Sequence, residues 1–315
     1  MAAVSVCVAC VVMAFCRHAL AISTLNDTLR NPPRIFRVPS SEPPNNAVHR
    51  DFGIRRLEIR KREQDVGPGP EGSSVVVPAA SVPWTVAISA GPELDRDFVC
   101  AGALIAPQWV LTAAHCTYAL VRRWPEDESA YVFTHTASLS SPGQRFNVRQ
   151  IIPHPKYNPK TLRNDLALVR IDAKGGAAGL PISLDGPSIS KQVGAIGSIL
   201  GWGISTKQSG RKHAERLHVI QTAILDDQVC FSGADYPELS GTHVFCGRSL
   251  LKYHDICFRF GGSPMVFYDV RANLYLGGLV SWPAACSEGR DKPNVYLDVQ
   301  AYVPWIRETI IDASK

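Results

Sequence analysis

From residue 75 to residue 299 the chain is built of short apolar runs separated by glycine, proline and small polar residues. The runs at 82–89, 99–105, 109–113, 165–171, 198–202, 244–246, 274–281 and 295–299 are rich in Val, Ile, Leu and Trp. None is long enough for a helix that buries one face, and β-branched and aromatic residues favour a pleated surface. Many such strands with turn residues between them predict an all-β barrel or sandwich. Only the C-terminus departs from this pattern, because Val303, Ile306 and Ile310 fall on one face of a helix. No internal repeat recurs at a fixed period.

The upstream part has a different character. Residues 1–21 carry an uncharged apolar stretch from Val4 to Phe15 and end on Ala19-Leu20-Ala21, which predicts a signal peptide and a secreted, extracellular product. No later apolar segment has the length of a membrane-spanning helix. Residues 22–74 hold no cysteine, two Pro-Pro pairs and a Gly-Pro-Gly-Pro run, the composition of a flexible propeptide or linker. Asn26-Asp27-Thr28 is an N-glycosylation sequon, with Asn26 as acceptor. The main domain is therefore assigned to residues 75–315.

Cysteine usage agrees with an oxidising compartment. Of nine cysteines, Cys7, Cys10 and Cys16 belong to the signal peptide. The other six are Cys100, Cys116, Cys230, Cys246, Cys257 and Cys286. An even set in a secreted chain predicts three disulfides, whose connectivity spacing alone leaves open. The only Cys-x-x-Cys pair lies in the signal peptide, so no metal site and no cofactor are expected. The formal charge of +5 is spread along the chain and does not point to nucleic acid or to a membrane surface. The densest basic cluster of the main domain, Lys207, Arg211, Lys212 and Arg216, reads either as a solvated loop or as a partner-binding patch.

Three segments carry chemistry. Residues 109–116 read Trp-Val-Leu-Thr-Ala-Ala-His-Cys, residues 164–168 read Asn-Asp-Leu-Ala-Leu, and residues 257–264 read Cys-Phe-Arg-Phe-Gly-Gly-Ser-Pro. The first two resemble the histidine and aspartate motifs of trypsin-like, chymotrypsin-fold serine proteases, and the order of the three matches that family. Pro83-Trp84, Gly201-Trp202-Gly203, Ser281-Trp282 and Trp305-Ile306 extend the resemblance over roughly residues 75–315. It implies two six-stranded antiparallel β-barrels with a C-terminal helix, and His115 and Asp165 as retained triad positions. It also implies the disulfides Cys100–Cys116, Cys230–Cys246 and Cys257–Cys286.

The third segment departs from the family pattern Cys-x-Gly-Asp-Ser-Gly-Gly-Pro. With cysteine and proline in register, Gly261 takes the nucleophile's place and has no hydroxyl to activate. Arg259 replaces a glycine of the oxyanion region, where loss of one donor removes about 3–4 kcal/mol of transition-state stabilisation. Phe260 replaces the buried aspartate that pairs with a freed N-terminus in the family's activated members. The aligned start reads Glu71-Gly72-Ser73-Ser74, and no Lys or Arg lies between Arg62 and Arg96. Both halves of the activation pair are therefore missing together, which avoids a buried unpaired charge. Ser263 is two positions beyond the nucleophile's place, and misplacement by even 1 Å can cost about 10²-fold.

Around the specificity pocket, Asp255 matches the base that selects Lys or Arg in trypsin-like members. Ser281 and Pro283 line one wall, where proline has no N–H for substrate, and Asn294 stands where relatives keep a glycine. Two readings remain: a pocket closed by Asn294 reaching Asp255, or one that binds a basic side chain without cutting. His115 and Asp165 likewise persist either as a packed hydrogen-bonded pair or as part of a binding surface. The residues predict a secreted, non-catalytic homologue that acts by binding an extracellular protein: a protease, a protease inhibitor or a substrate. The alternative is a secreted endopeptidase with residual or noncanonical trypsin-like activity, through Ser263 or an outside group.

Overall fold

A computed structural model describes residues 75–123, 130–173, 178–189, 192–203, 216–231, 242–250, 260–282 and 293–315. The predicted signal peptide, the linker and its Asn26 sequon lie outside these residues, as do Lys207, Arg211, Lys212, Asp255, Cys257, Arg259, Pro283 and Cys286.

Among the described residues thirteen strands carry the fold. The first barrel closes in the order β2 (Thr85–Ser89), β3 (Phe98–Ala106), β4 (Trp109–Thr112), β7 (Ala167–Ile171), β6 (Gln144–Pro153) and β5 (Tyr131–Thr134). The second comprises β8 (Ile196–Gly201), β9 (His218–Ile224), β10 (Val244–Ser249), β13 (Asn294–Asp298), β12 (Leu274–Trp282) and β11 (Pro264–Tyr268), which pairs back to β8. Every pairing between these strands is antiparallel. The short β1 (Val75–Val76) adds a seventh strand beside β9, with Val75 opposite Val219. The expected double barrel is therefore the observed one.

The core follows from the pattern that predicted it. β2 and β4 are buried along their whole lengths, their polar ends Thr85, Ser89 and Thr112 included. In the second barrel Ile199, Ile220, Phe245, Met265, Phe267, Tyr275 and Tyr296 form one buried cluster. The C-terminal helix runs from Val303 to Asp312 with Pro304 in its first turn, where a missing N–H costs no hydrogen bond. Ile306 and Ile310 are buried, as the i, i+4 spacing requires. No helix among the described residues is long and apolar enough to cross a membrane.

Some elements were illegible in sequence. In β6 only Phe146 and Val148 are buried among exposed polar neighbours, so the strand shows little apolar signal. β9 mixes His218, Gln221 and Thr222 into its run, and β11 opens on a proline. The run expected at 82–89 begins as a strand only at Thr85, because Ala79–Ser81 make a 3-10 turn first. The histidine segment turns into a helix, Ala114–Arg123, directly after β4.

Candidate active site

The site is assembled from the ends of β4, β7 and β12 and the turn before β11. Asp165 stands just ahead of β7 and is fully buried. A sharp turn aims it, since Asn164 has φ 54°, a left-handed conformation that asparagine tolerates better than most residues. Two hydrogen bonds hold the Asn164 side chain: its Nδ2 donates to the Lys156 carbonyl at 3.0 Å, and its Oδ1 accepts from the Tyr302 hydroxyl at 3.2 Å.

A buried carboxylate needs donors, and the described residues give Asp165 three. The His115 backbone N–H reaches Oδ1 at 2.7 Å, and His115 Nδ1 lies 2.7 Å from Oδ2. Ser281, on β12, donates its hydroxyl to the same Oδ2 at 2.6 Å. The carboxylate accepts at Nδ1, so the proton of a neutral ring is assigned there and Nε2 carries the lone pair. His115 retains 30% side-chain exposure while Asp165 has none. This is the arrangement of an imidazole oriented for proton transfer at Nε2.

Among the described residues nothing stands there to give up a proton. Nε2 faces Gly261, at the start of a tight turn in which the Ser263 N–H donates to the Phe260 carbonyl at 2.9 Å. The Gly261 carbonyl accepts from Ala101 N at 3.2 Å, which ties the turn to β3 of the first barrel. A Cβ on Gly261 would stand 3.1 Å from His115 Cε1 and 3.3 Å from Cys100 Sγ, and closer still to Nε2. The imidazole has thus settled against the backbone, in volume that a side chain at 261 would need. The next residue, Gly262, has φ 70° and packs against Thr112 and the Ala101 carbonyl, so only glycine fits there.

Phe260 points the other way. Its ring is fully buried in the core of the second barrel, pressed against Gly203 so closely that a Cβ there would overlap it. The Gly201-Trp202-Gly203 stretch thus provides the notch into which this ring fits. Ser263 is also fully buried; its hydroxyl lies against Gly201 and has no hydrogen-bond partner among the described residues. Asn294 is buried on β13 opposite Gly247. Its expected approach to Asp255 lies outside the described residues, as do the Arg259 and Pro283 expectations and the Cys257–Cys286 bridge. The Cys100–Cys116 and Cys230–Cys246 disulfides are both present.

Sequence reading placed Ser281 in the wall of the specificity pocket; the structure also makes it a buried hydrogen-bond donor to Asp165. Tyr302 was missed altogether, because nothing in its local sequence links it to Asn164. Burial pushes the Tyr302 phenol well up, and the negative charges of Asp165 and Asp298 add to the shift. Tyr157 is raised by burial first, then by Asp165 and Tyr118. Both therefore stay protonated and neutral near the buried carboxylate. Cys100 Sγ, Cys116 Sγ and an imidazole nitrogen of His115 lie within 4.8 Å of one another, with the two sulfurs joined in a disulfide.

Comparison with known proteins agrees with this geometry. Residues 72–306 match the family model described as Trypsin. The chain is similar to Serine protease 1 of Homo sapiens, 30% identical over 73% of this chain and 85% of that protein. It is also similar to Trypsin of Sus scrofa, 30% identical over 74% of this chain and 92% of the relative. Anionic trypsin of Bos taurus is 33% identical over 73% of this chain and 85% of its own length.

Proposed function

The chain belongs to the trypsin family of serine proteases, and from that premise we propose that it keeps the fold without the peptidase chemistry, acting outside the cell as a protein-binding homologue. One observation carries the reading: His115 Nε2, held by Asp165, faces a glycine where acyl transfer needs a hydroxyl. In a comparable hydrolase, loss of the serine costs on the order of 10⁶ in turnover, or about 8 kcal/mol of transition-state stabilisation. The buried Phe260 supports the same reading, because an apolar ring occupies the position at which activated relatives keep an aspartate. Ser263 is no substitute, being sealed against Gly201 rather than presented to His115.

The partner is an extracellular protein of the protease, protease-inhibitor or protease-substrate class, met by the surface around the former cleft. Two assays test the proposal. A fluorophosphonate probe and a lysine or arginine ester substrate are expected to give no stoichiometric labelling and no hydrolysis above the uncatalysed rate. Binding of trypsin-family proteases and their protein inhibitors, followed by surface plasmon resonance, is expected to leave the bound protein intact. Stoichiometric labelling that disappears in Ser263→Ala would overturn the reading and establish residual endopeptidase activity.

A further inference from the structure

The space in front of His115 Nε2 is bounded by sulfur. Cys116 Sγ lies 3.5 Å from Nε2, and the point where a Cβ on Gly261 would stand is 3.3 Å from Cys100 Sγ. We propose that breaking the Cys100–Cys116 disulfide converts this corner into a site for zinc or a similar divalent metal, with Cys100, Cys116 and His115 Nε2 as ligands. This goes beyond the binding role proposed above and does not depend on it.

The geometry suits a tetrahedral ion. Zinc–nitrogen bonds of about 2.0–2.1 Å and zinc–sulfur bonds of about 2.3 Å place a nitrogen and a sulfur ligand about 3.5 Å apart. That is the separation already present between Nε2 and Cys116 Sγ. The two sulfurs must part to about 3.8 Å, which rotation of their side chains can supply. A metal-bound imidazole is normally oriented by a carboxylate on its other nitrogen. His115 Nδ1 has that partner at 2.7 Å in Asp165, itself fixed by Ser281 at 2.6 Å. Gly261 supplies the room, since a side chain there would project into the volume between Nε2 and Cys100 Sγ. The 30% exposure of the His115 side chain lets a water reach the fourth position. Sequence spacing could not show this set, because Cys100 belongs to β3 and the other two follow β4.

The step balances. A dithiol reductant delivers two electrons and two protons to the S–S bond and leaves as its own disulfide; the metal then displaces both thiol protons to solvent. The disulfide keeps the site closed under oxidising conditions.

The test uses the full chain, reduced anaerobically with a phosphine and titrated with Co²⁺ as the probe. One Co²⁺ per chain is expected at this site, with sulfur-to-cobalt charge-transfer absorption and tetrahedral d–d bands that Zn²⁺ abolishes. His115→Ala leaves every cysteine in place, so binding by other reduced thiols is a constant background. Its affinity is expected to fall at least ~10-fold with loss of the tetrahedral spectrum, and Asp165→Asn to weaken binding by about 10–100-fold. Equal affinity and an unchanged spectrum in His115→Ala, or equal binding by the oxidised chain, would overturn the proposal. If reduction unfolds the chain, Zn²⁺ should restore the near-ultraviolet circular dichroism of the wild type but not of His115→Ala. Failure of that recovery counts equally against the site.

Discussion

Gly261→Ser would place a hydroxyl before His115 Nε2, and the structure predicts a strained protein of low turnover. The new Cβ would stand 3.1 Å from His115 Cε1 and 3.3 Å from Cys100 Sγ, and nearer still to Nε2, so the imidazole has to retreat. Retreat is resisted, because Nδ1 is bonded to Asp165 at 2.7 Å and Asp165 is bonded to Ser281 at 2.6 Å. Backbone torsion is not the obstacle, since Gly261 does not adopt a left-handed φ. Overpacking of this kind costs about 1–3 kcal/mol. For a domain of this size each kcal/mol lowers Tm by about 2–4 °C, so a loss of about 2–12 °C is expected. Displacing the base by about 1 Å costs about 10²-fold in turnover even with a hydroxyl present. Calorimetry and a chromogenic arginine ester measure the two effects, with Gly261→Ala separating the Cβ from the hydroxyl. An unchanged Tm in Gly261→Ser, or turnover within 10-fold of an active relative, would refute the steric argument.

Three further outcomes follow from the same contacts. Phe260→Ala empties a fully buried ring position beside Gly203 and should cost about 3–5 kcal/mol in denaturant unfolding, whereas a cost below about 1 kcal/mol would mean that the core collapses around it. Ser281→Ala removes one of three donors to a buried carboxylate and should cost about 1.5–3 kcal/mol, with Ser281→Thr a partial rescue; no loss in Ser281→Ala would mean that water replaces the hydroxyl. His154 packs edge-on against Tyr302 and beside Trp305, and burial followed by the charge of Lys156 holds its pKa below the usual 6.5. The unfolded chain therefore takes up this proton first, so stability contributed here is complete above about pH 6.5 and falls as the pH drops through the depressed value. His154→Gln should flatten that dependence between about pH 5 and 7 in urea melts.

The all-β class was legible because short apolar runs and the turn residues between them are local properties of the chain. The terminal helix was legible for the same reason, its buried Ile306 and Ile310 lying one turn apart. β6 was not, because only Phe146 and Val148 in it are buried and exposed polar residues stand around them. In the site, the residue types at 115, 165 and 261 could be read by register against a family pattern. What they touch could not.

By itself the sequence determined the chemistry available: a histidine, an aspartate, no side chain at 261 and a phenylalanine beside it. Tertiary structure alone decided how that chemistry is placed. The His115–Asp165 bond spans 50 positions and the Ser281–Asp165 bond spans 116. Such distances are closed by strand register in two barrels, not by any local preference. That register seats the imidazole on Gly261 and the Phe260 ring on Gly203, so the imidazole fills part of the volume that a side chain at 261 would need.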